Sequence, residues 1–310
     1  MPVDFLLDFS GSRLRSLLKR IRHFFKLLPR YDIWHLNFLE CFFFYPVNLA
    51  ILKFFGKKIV LTFRGAEARD QIDFLPKGLF LKQEISQWPS FYQKQLRRKS
   101  WWQRFKQQLR IKIFIFFADQ VVLTGPFLAS AVPRYDKIIP YAREIEFLKK
   151  FKKTQKKLKI FHVPSEPIVK GTEIIKKTFK KLQKNYKNYQ FKILAPMPRA
   201  HLLKEMAEAD IVIDQLLIGW YGGQAVEALA MGKIVMAYLH PPYLELVPFG
   251  REIPIWNTNA WTFEEDLTNL LEVYPLIKNQ WIKKTVAFAQ KYHSSVKVAQ
   301  AYLEVYRRCL

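Results

Sequence analysis

The stretch IVIDQLLIGWYGGQAVEALAMGKIVMAYL at 211–239 constrains the fold more than any other part of this chain. IVID (211–214) and KIVMAYL (233–239) are short apolar β segments, and QAVEALAM (224–231) between them is built from good helix formers. Strand, helix and strand in this order form a parallel crossover, so the local unit is βαβ. Gly219, Gly222 and Gly223 break the loop ahead of the helix and allow positive φ or close backbone approach there. A helix starting behind such a loop aims unpaired N–H groups and the positive end of its dipole at one point, which makes an anion site. Glu227 lies about one turn in, within reach of a ribose attached to a bound phosphate.

The same alternation runs along the chain. Leu14, Leu17, Leu18, Ile21, Phe24, Phe25 and Leu28 give 13–28 a helical period, with six Arg and Lys residues in between, and this helix reads as a core-packing one. Strands are expected at 31–36, 58–63, 120–124 and 136–140, with helices at 46–55 and 100–119 and a long irregular stretch from 65 to 99. The lysine-rich run FLKKFKKTQKKLK (147–159) is the candidate domain boundary. Beyond it come strands at 158–163, 190–194, 211–214 and 252–256. Helices follow at 172–184 and 201–209, then at 262–273, which opens with a Thr262-x-x-Glu265 capping box, and at 276–308. Short apolar strands alternating with helices imply an α/β fold with parallel sheets covered on both faces. Two Rossmann-like domains, 1–150 and 151–293, are the simplest arrangement.

Composition narrows the function classes. Half of the 310 residues are hydrophobic and a quarter charged, which is the globular range. Two cysteines, Cys41 and Cys309, near opposite ends offer neither a disulfide framework nor metal-ligand spacing, so no metal is expected and a reducing cytoplasm fits. MPVDFLLDFS lacks the basic start of a secretory signal, and the apolar stretches around 41–55 and 113–118 are too short or interrupted to span a bilayer. The net charge is +25: residues 151–310 hold 24 basic against 14 acidic residues, leaving 27 against 12 for 1–150. Such a surface recruits an anionic partner, whether phosphorylated small molecule, lipid or nucleic acid.

The 211–239 block and HVPSEPIVKGT (162–172) together resemble the nucleotide-sugar half of GT-B glycosyltransferases, specifically the retaining "glycosyl transferases group 1" family. The family has a Lys-Gly pair opening the first helix of its second domain and a Glu-Ala-Met-Ala-x-Gly-Lys-Pro-Val run. Lys170-Gly171 and the run from Glu227 to Val235 stand in those places. The resemblance implies two domains facing across a cleft, with the last helix, about 294–310, crossing back to the first domain. It also implies that the first domain is trimmed at its N-terminus, because the family's glycine-rich opening strand and loop are missing.

By this resemblance Lys170 and Glu227 carry the chemistry: the lysine neutralises the donor diphosphate and the glutamate accepts from the ribose hydroxyls. Ser165, Gly171, Tyr221, Gly222 and Gly223 join Glu227 in donor binding, the loop through its backbone N–H groups. Two departures stand out. Gly219 occupies the place of the family's first glutamate, and Ser165 that of its arginine. Asp214, at a strand end, reads either as a carboxylate near the site or as a cap on local backbone. In the first domain TFRGAEAR (62–69) resembles the family's Thr-Phe-His-Gly-Ser-Asp-x-Arg loop, which assigns Arg64, Gly65, Glu67 and Arg69 to the acceptor side of the cleft. Arg64 replaces a histidine and cannot shuttle a proton at neutral pH. His35, with Asn37, is either a cleft residue or a buried structural histidine.

Residues 88–112 hold Trp88, Trp101 and Trp102 among eight Lys and Arg and no acid. This composition suits docking on an anionic membrane, a solvated helix with inward tryptophans, or single-stranded nucleic acid, the last without any accompanying motif. The expected activity is transfer of a sugar from a nucleoside diphosphate sugar to a hydroxyl of a polysaccharide or glycolipid precursor, with retention and without a cofactor. The expected place is the cytoplasm, peripheral on the inner face of the plasma membrane. A degenerate GT-B protein that binds without catalysis, and a basic lipid- or nucleic-acid-binding scaffold, are the alternatives.

Overall fold

The computed structural model describes residues 13–37, 39–65, 68, 100–151 and 157–310. Helix α1 (Arg13–Leu27) leads into β1 (Ile33–Asn37), α2 (Tyr45–Phe54), β2 (Lys58–Phe63), α3 (Trp101–Phe117), β3 (Gln120–Leu123) and β4 (Lys137–Ile138). These four strands form one parallel sheet in sequence order. After α4 (Ile145–Leu148) the chain builds β5 (Lys159–His162), α5 (Pro167–Lys170), α6 (Thr172–Asn185), β6 (Gln190–Ile193), α7 (Arg199–Ala207), β7 (Ile211–Ile213), α8 (Gly223–Ala230), β8 (Ile234–Ala237), α9 (Pro241–Glu245) and β9 (Ile255–Asn257). The second sheet is also parallel, in the order β6-β5-β7-β8-β9. Strand order reverses at β5, which has β6 on one side and β7, β8 and β9 on the other. In an open parallel sheet such a switch opens a crevice at the carboxyl ends of the strands.

Burial explains why these segments are strands. Ile59, Val60, Leu61 and Phe63 of β2 and Val121, Val122 and Leu123 of β3 are all enclosed, as are Ile211, Val212 and Ile213 of β7 and all four residues of β8. Near-continuous apolar runs are what a sheet covered on both faces requires.

Helices α10 (Phe263–His293) and α11 (Ser295–Arg307) close the chain. A break in the helical pattern near residue 274 is not observed: α10 runs straight through Pro275. Proline in a helix interior costs about 3 kcal/mol through a lost N–H bond and a clash with the preceding turn. Here Leu267, Leu270, Leu271 and Tyr274 are buried before it, and Phe288, Ala289 and His293 after it. At about 1.5–3 kcal/mol per large apolar side chain, that burial outweighs the proline. The Thr262–Glu265 capping box also fails to form. The Thr262 hydroxyl instead donates to Asp266 Oδ2 at 2.5 Å, and Asn259 Oδ1 accepts from the N–H groups of Trp261 and Thr262. A capping box does open α3, between Ser100 and Gln103. The strand expected at 252–256 begins only at Ile255, because Gly250–Glu252 forms a 3₁₀ turn.

Helix α11 lies on the first sheet, not the second. Val298, Val305 and Cys309 pack with Val60, Val122 and Ile139, and Lys137 pairs with Glu304 at 2.5 Å. The two chain crossings between the sheets run side by side: Arg143 N–H donates to His293 C=O at 2.7 Å, and Ser295 N–H donates to Arg143 C=O at 3.1 Å.

Helix α1 departs from the core-packing expectation, and α3 bears on one of the readings left open for 88–112. In α1 only Phe24 is fully enclosed, while Leu14, Leu17, Leu18 and Phe25 are exposed, so most of its stripe does not pack on the core. In α3, Trp101 and Trp102 are 73% and 54% exposed and stack on each other and on Phe105, so these tryptophans do not turn inward. Among the described residues no helix is long and apolar enough to cross a membrane.

Candidate functional site

The site forms where β5, β7 and the loop before α8 end together. Gly171 joins α5 to α6 with φ +78°, a left-handed conformation that favours glycine. A Cβ there would also press on Leu216 Cβ at 3.2 Å. This turn sets Lys170 over the β7 end, where its Nζ donates to Asp214 Oδ1 at 2.7 Å and to Gln224 Oε1 at 3.2 Å. Asp214 Oδ2 accepts the N–H of Gly222, the residue preceding α8, at 2.7 Å. Asp214 therefore does both things open to it: it caps the loop and holds the lysine. Its side chain is fully enclosed, so the lysine is what makes its charge tolerable there.

Beneath the loop, His162 holds the strand ends in place. Its Nδ1 lies 2.8 Å from the Ile213 carbonyl and its Nε2 lies 2.9 Å from the Thr172 hydroxyl. A carbonyl only accepts, so Nδ1 carries the proton and Thr172 donates to Nε2. Burial, with the charge of Lys170 adding to it, lowers the pKa of His162 to about 4.

Glu227 sits on α8 one turn beyond Gln224, so Lys170 and Glu227 converge on the first two turns of one helix. The Glu227 side chain is 6% exposed and meets two arginines that lie outside the sequence motifs. Arg199, which opens α7, donates from NH2 to Glu227 Oε1 at 2.9 Å. Arg143, from the crossing between the sheets, brings its Nε to 3.0 Å from the same oxygen. That contact is an ion pair without hydrogen-bond direction, since this buried Nε has no hydrogen-bond partner. The Arg143 guanidinium lies directly against Gly223: a Cβ there would stand 2.0 Å from its NH2. Neither arginine is adjacent in sequence to the motif residues. The missing arginine at the Ser165 position was the one signal that another cation was needed.

The remaining site residues fall into place unevenly. Ser165 is an exposed bend residue just after β5. Tyr221 does not line an open site. Its ring is buried, stacks on Trp220 at 4.8 Å, and its hydroxyl donates to His293 Nε2 at 3.0 Å. The Gly222 N–H is taken by Asp214, so the loop's contribution to an anion passes to the first-turn N–H groups of α8, from Gly223 onward. Gly219 adopts φ +77°, and its carbonyl accepts from the His240 N–H at 2.9 Å.

On the first-domain side, Arg64 and Gly65 follow β2. The Arg64 carbonyl accepts from Tyr141 Oη at 3.1 Å, and the Tyr141 carbonyl accepts from His293 Nδ1 at 2.9 Å. Arg64, Tyr141, His293 and Tyr221 thus form one hydrogen-bonded line from the first domain to the loop before α8. Burial above all, with Arg143 nearby, lowers the pKa of His293 to about 4. His35 makes structural contacts: its ring nitrogens lie 2.7 Å from the hydroxyls of Thr62 and Tyr306, tying β1 and β2 to α11. Burial and the neighbouring Arg64 charge lower its pKa to about 4. Glu67 and Arg69 lie outside the described residues. No group of three or more His, Cys, Asp and Glu side chains able to hold a metal occurs among the described residues.

No protein-family model matches the chain, and no curated protein matches it by sequence. Solved structures match along almost its whole length. Sucrose-phosphate synthase from Thermosynechococcus elongatus aligns with a TM-score of 0.60 and 14% identity, over 96% of this chain and 80% of its own. HepE of Anabaena, in complex with UDP-glucose, aligns with a TM-score of 0.58 and 14% identity, over 96% of this chain and 85% of its own. A trehalose-6-phosphate synthase, from work on glycosyl transfer with retention, aligns with a TM-score of 0.56 and 9% identity, over 96% and 80%. At these identities the likeness shows the fold: this chain is a GT-B protein of two Rossmann-like domains.

Proposed function

We propose that this GT-B chain is a glycosyltransferase that moves a sugar from a nucleoside diphosphate sugar to a hydroxyl of a polysaccharide or glycolipid precursor, with retention. The observation that carries the reading is the convergence of Lys170 and Glu227 on the start of α8. A helix N-terminus and a fixed ammonium suit a diphosphate, and a carboxylate one turn along suits a ribose diol. That HepE is held with UDP-glucose on the same fold supports the choice of donor.

In the proposed reaction the bond from the sugar C1 to the β-phosphate oxygen breaks and leaves its electron pair on the phosphate. Lys170 lowers the cost of that charge. The acceptor oxygen bonds to C1, and its proton passes to the departing phosphate. Arg64 cannot take this proton, so its role is confined to binding. No metal enters the scheme, because cationic side chains carry the charge compensation.

The acceptor side belongs to the first domain. Trp101, Trp102 and Phe105 stand exposed on α3 beside the exposed Lys106 and the half-buried Arg104, and this helix has no acidic residue. Exposed aromatics beside cations suit the interface of an anionic bilayer, which supports a lipid-linked acceptor and a location on the inner face of the plasma membrane as part of this reading.

The test is a thermal-shift screen against UDP-, GDP-, CDP- and ADP-sugars, with Lys170→Ala and Glu227→Ala as controls. One class of donor raises the Tm of the wild type and neither variant responds. Indifference of the wild type to all four classes overturns the reading.

A further inference from the structure

We infer that Arg143 is the second cation of the diphosphate site, acting from the interdomain crossing in place of the arginine whose position Ser165 occupies. The inference rests on the donor reading above and adds a positioning and binding residue to it.

Four observations carry it. The Arg143 guanidinium lies against Gly223, the first residue of α8, so closely that any side chain there would collide with it. Its fork is only partly used: NH1 donates to the Ala142 carbonyl at 2.8 Å, while the buried Nε has no hydrogen-bond partner and NH2 has none among the described residues. Its charge is met by Glu227 Oε1, which Arg199 also uses. Its backbone is held from both directions by His293 and Ser295, so the side chain projects from a fixed point.

A guanidinium with unused donors beside unpaired helix N–H groups is suited to two phosphate oxygens at once. Glu227 keeps the two arginines compensated until a diphosphate arrives. The diphosphate then takes over the arginines, and the carboxylate is released to the ribose. Ser165 is exposed and uncharged, so without Arg143 the diphosphate has Lys170 alone on the inner side, and that lysine is already committed to Asp214.

The test is calorimetric titration of the wild type with UDP, GDP, CDP and ADP, and with the nucleoside of whichever diphosphate binds. The wild type prefers the diphosphate to its nucleoside by about a hundredfold. Arg143→Gln lowers diphosphate affinity by about tenfold without lowering nucleoside affinity, and Arg143→Lys recovers part of the loss. Gly223→Ala gives the same selective loss, because its Cβ displaces the guanidinium without removing it. A purely structural arginine would weaken nucleoside and diphosphate alike. If Arg143→Gln does not fold, Arg143→Lys and Gly223→Ala read the same ratio. Retention of the wild-type ratio in these variants, alongside its loss in Lys170→Ala, overturns the inference and leaves the donor reading standing. Binding of none of the four diphosphates by the wild type overturns both.

Discussion

Asp214 and Lys170 form a pair that neither residue could occupy alone. The aspartate is fully enclosed and the lysine nearly so, at 2.7 Å. Removing one partner leaves a buried charge without compensation, which costs about 3–5 kcal/mol, whereas replacing both by apolar residues costs far less. Urea unfolding of Asp214→Asn will therefore show a loss in that range, and the double variant Asp214→Leu/Lys170→Met a clearly smaller one. Equal losses would mean that the pair contributes through packing rather than charge. At this scale the sequence was informative about identity but not about partnership. Lys170, Gly171 and Glu227 stood out by their motif, yet Arg143 and Arg199 are brought to Glu227 from 84 and 28 residues away. No local pattern encodes such a distance.

Among the elements, α10 shows where local rules give way. Pro275 predicts a helix end, and the helix continues because enclosed side chains on both sides of it fix the axis. Pro275→Ala restores the missing backbone bond and is expected to stabilise the protein by about 1–3 kcal/mol in chemical denaturation. A neutral or destabilising result would show that the proline ring itself contributes to packing. Thr262 fails as a cap for a related reason, since Asn259 and Asp266 compete for its polar groups. The central strands β2, β3, β7 and β8 were legible because burial on both faces leaves unbroken apolar runs, whereas the edge strands β4 and β9 are shorter than their apolar residues suggest. The exposure of α1 and α3 was not legible, because an apolar stripe has the same period whether it meets a core or a membrane. Anionic vesicles decide that point. Trp101→Ala/Trp102→Ala should bind phosphatidylglycerol vesicles several-fold more weakly than the wild type, and wild-type binding should weaken with salt. Failure of the wild type to bind them would remove the membrane from the proposal.

Across the whole molecule, three histidines tie the architecture together, His162 and His293 fully enclosed and His35 half-buried. His162 clamps the second sheet, His35 joins the first sheet to α11, and His293 sits at the crossing between the domains. Each has its pKa lowered from 6.5 to about 4, chiefly by burial. The unfolded chain binds protons below about pH 6.5, while the folded protein refuses them until about pH 4. Stability is therefore full above pH 6.5 and falls as pH drops through this window, at up to ~4 kcal/mol per pH unit if all three contribute. Equilibrium unfolding between pH 7 and 4 measures the slope, and a flat profile would show that the rings are solvated. Acid should strike the domain crossing directly, because His293 accepts from Tyr221 with the nitrogen that protonation would block.

The sequence by itself determined the α/β class, the parallel crossovers and the glycine-led turn into α8. Those features follow from side-chain period and backbone freedom, which are local properties. Tertiary structure alone decided which cations reach Glu227, that Tyr221 is spent on the crossing between the domains and His35 on joining the first sheet to α11, and which apolar stripes face outward. Each of these depends on contacts between segments distant in sequence, and such contacts leave no periodicity in the chain that makes them.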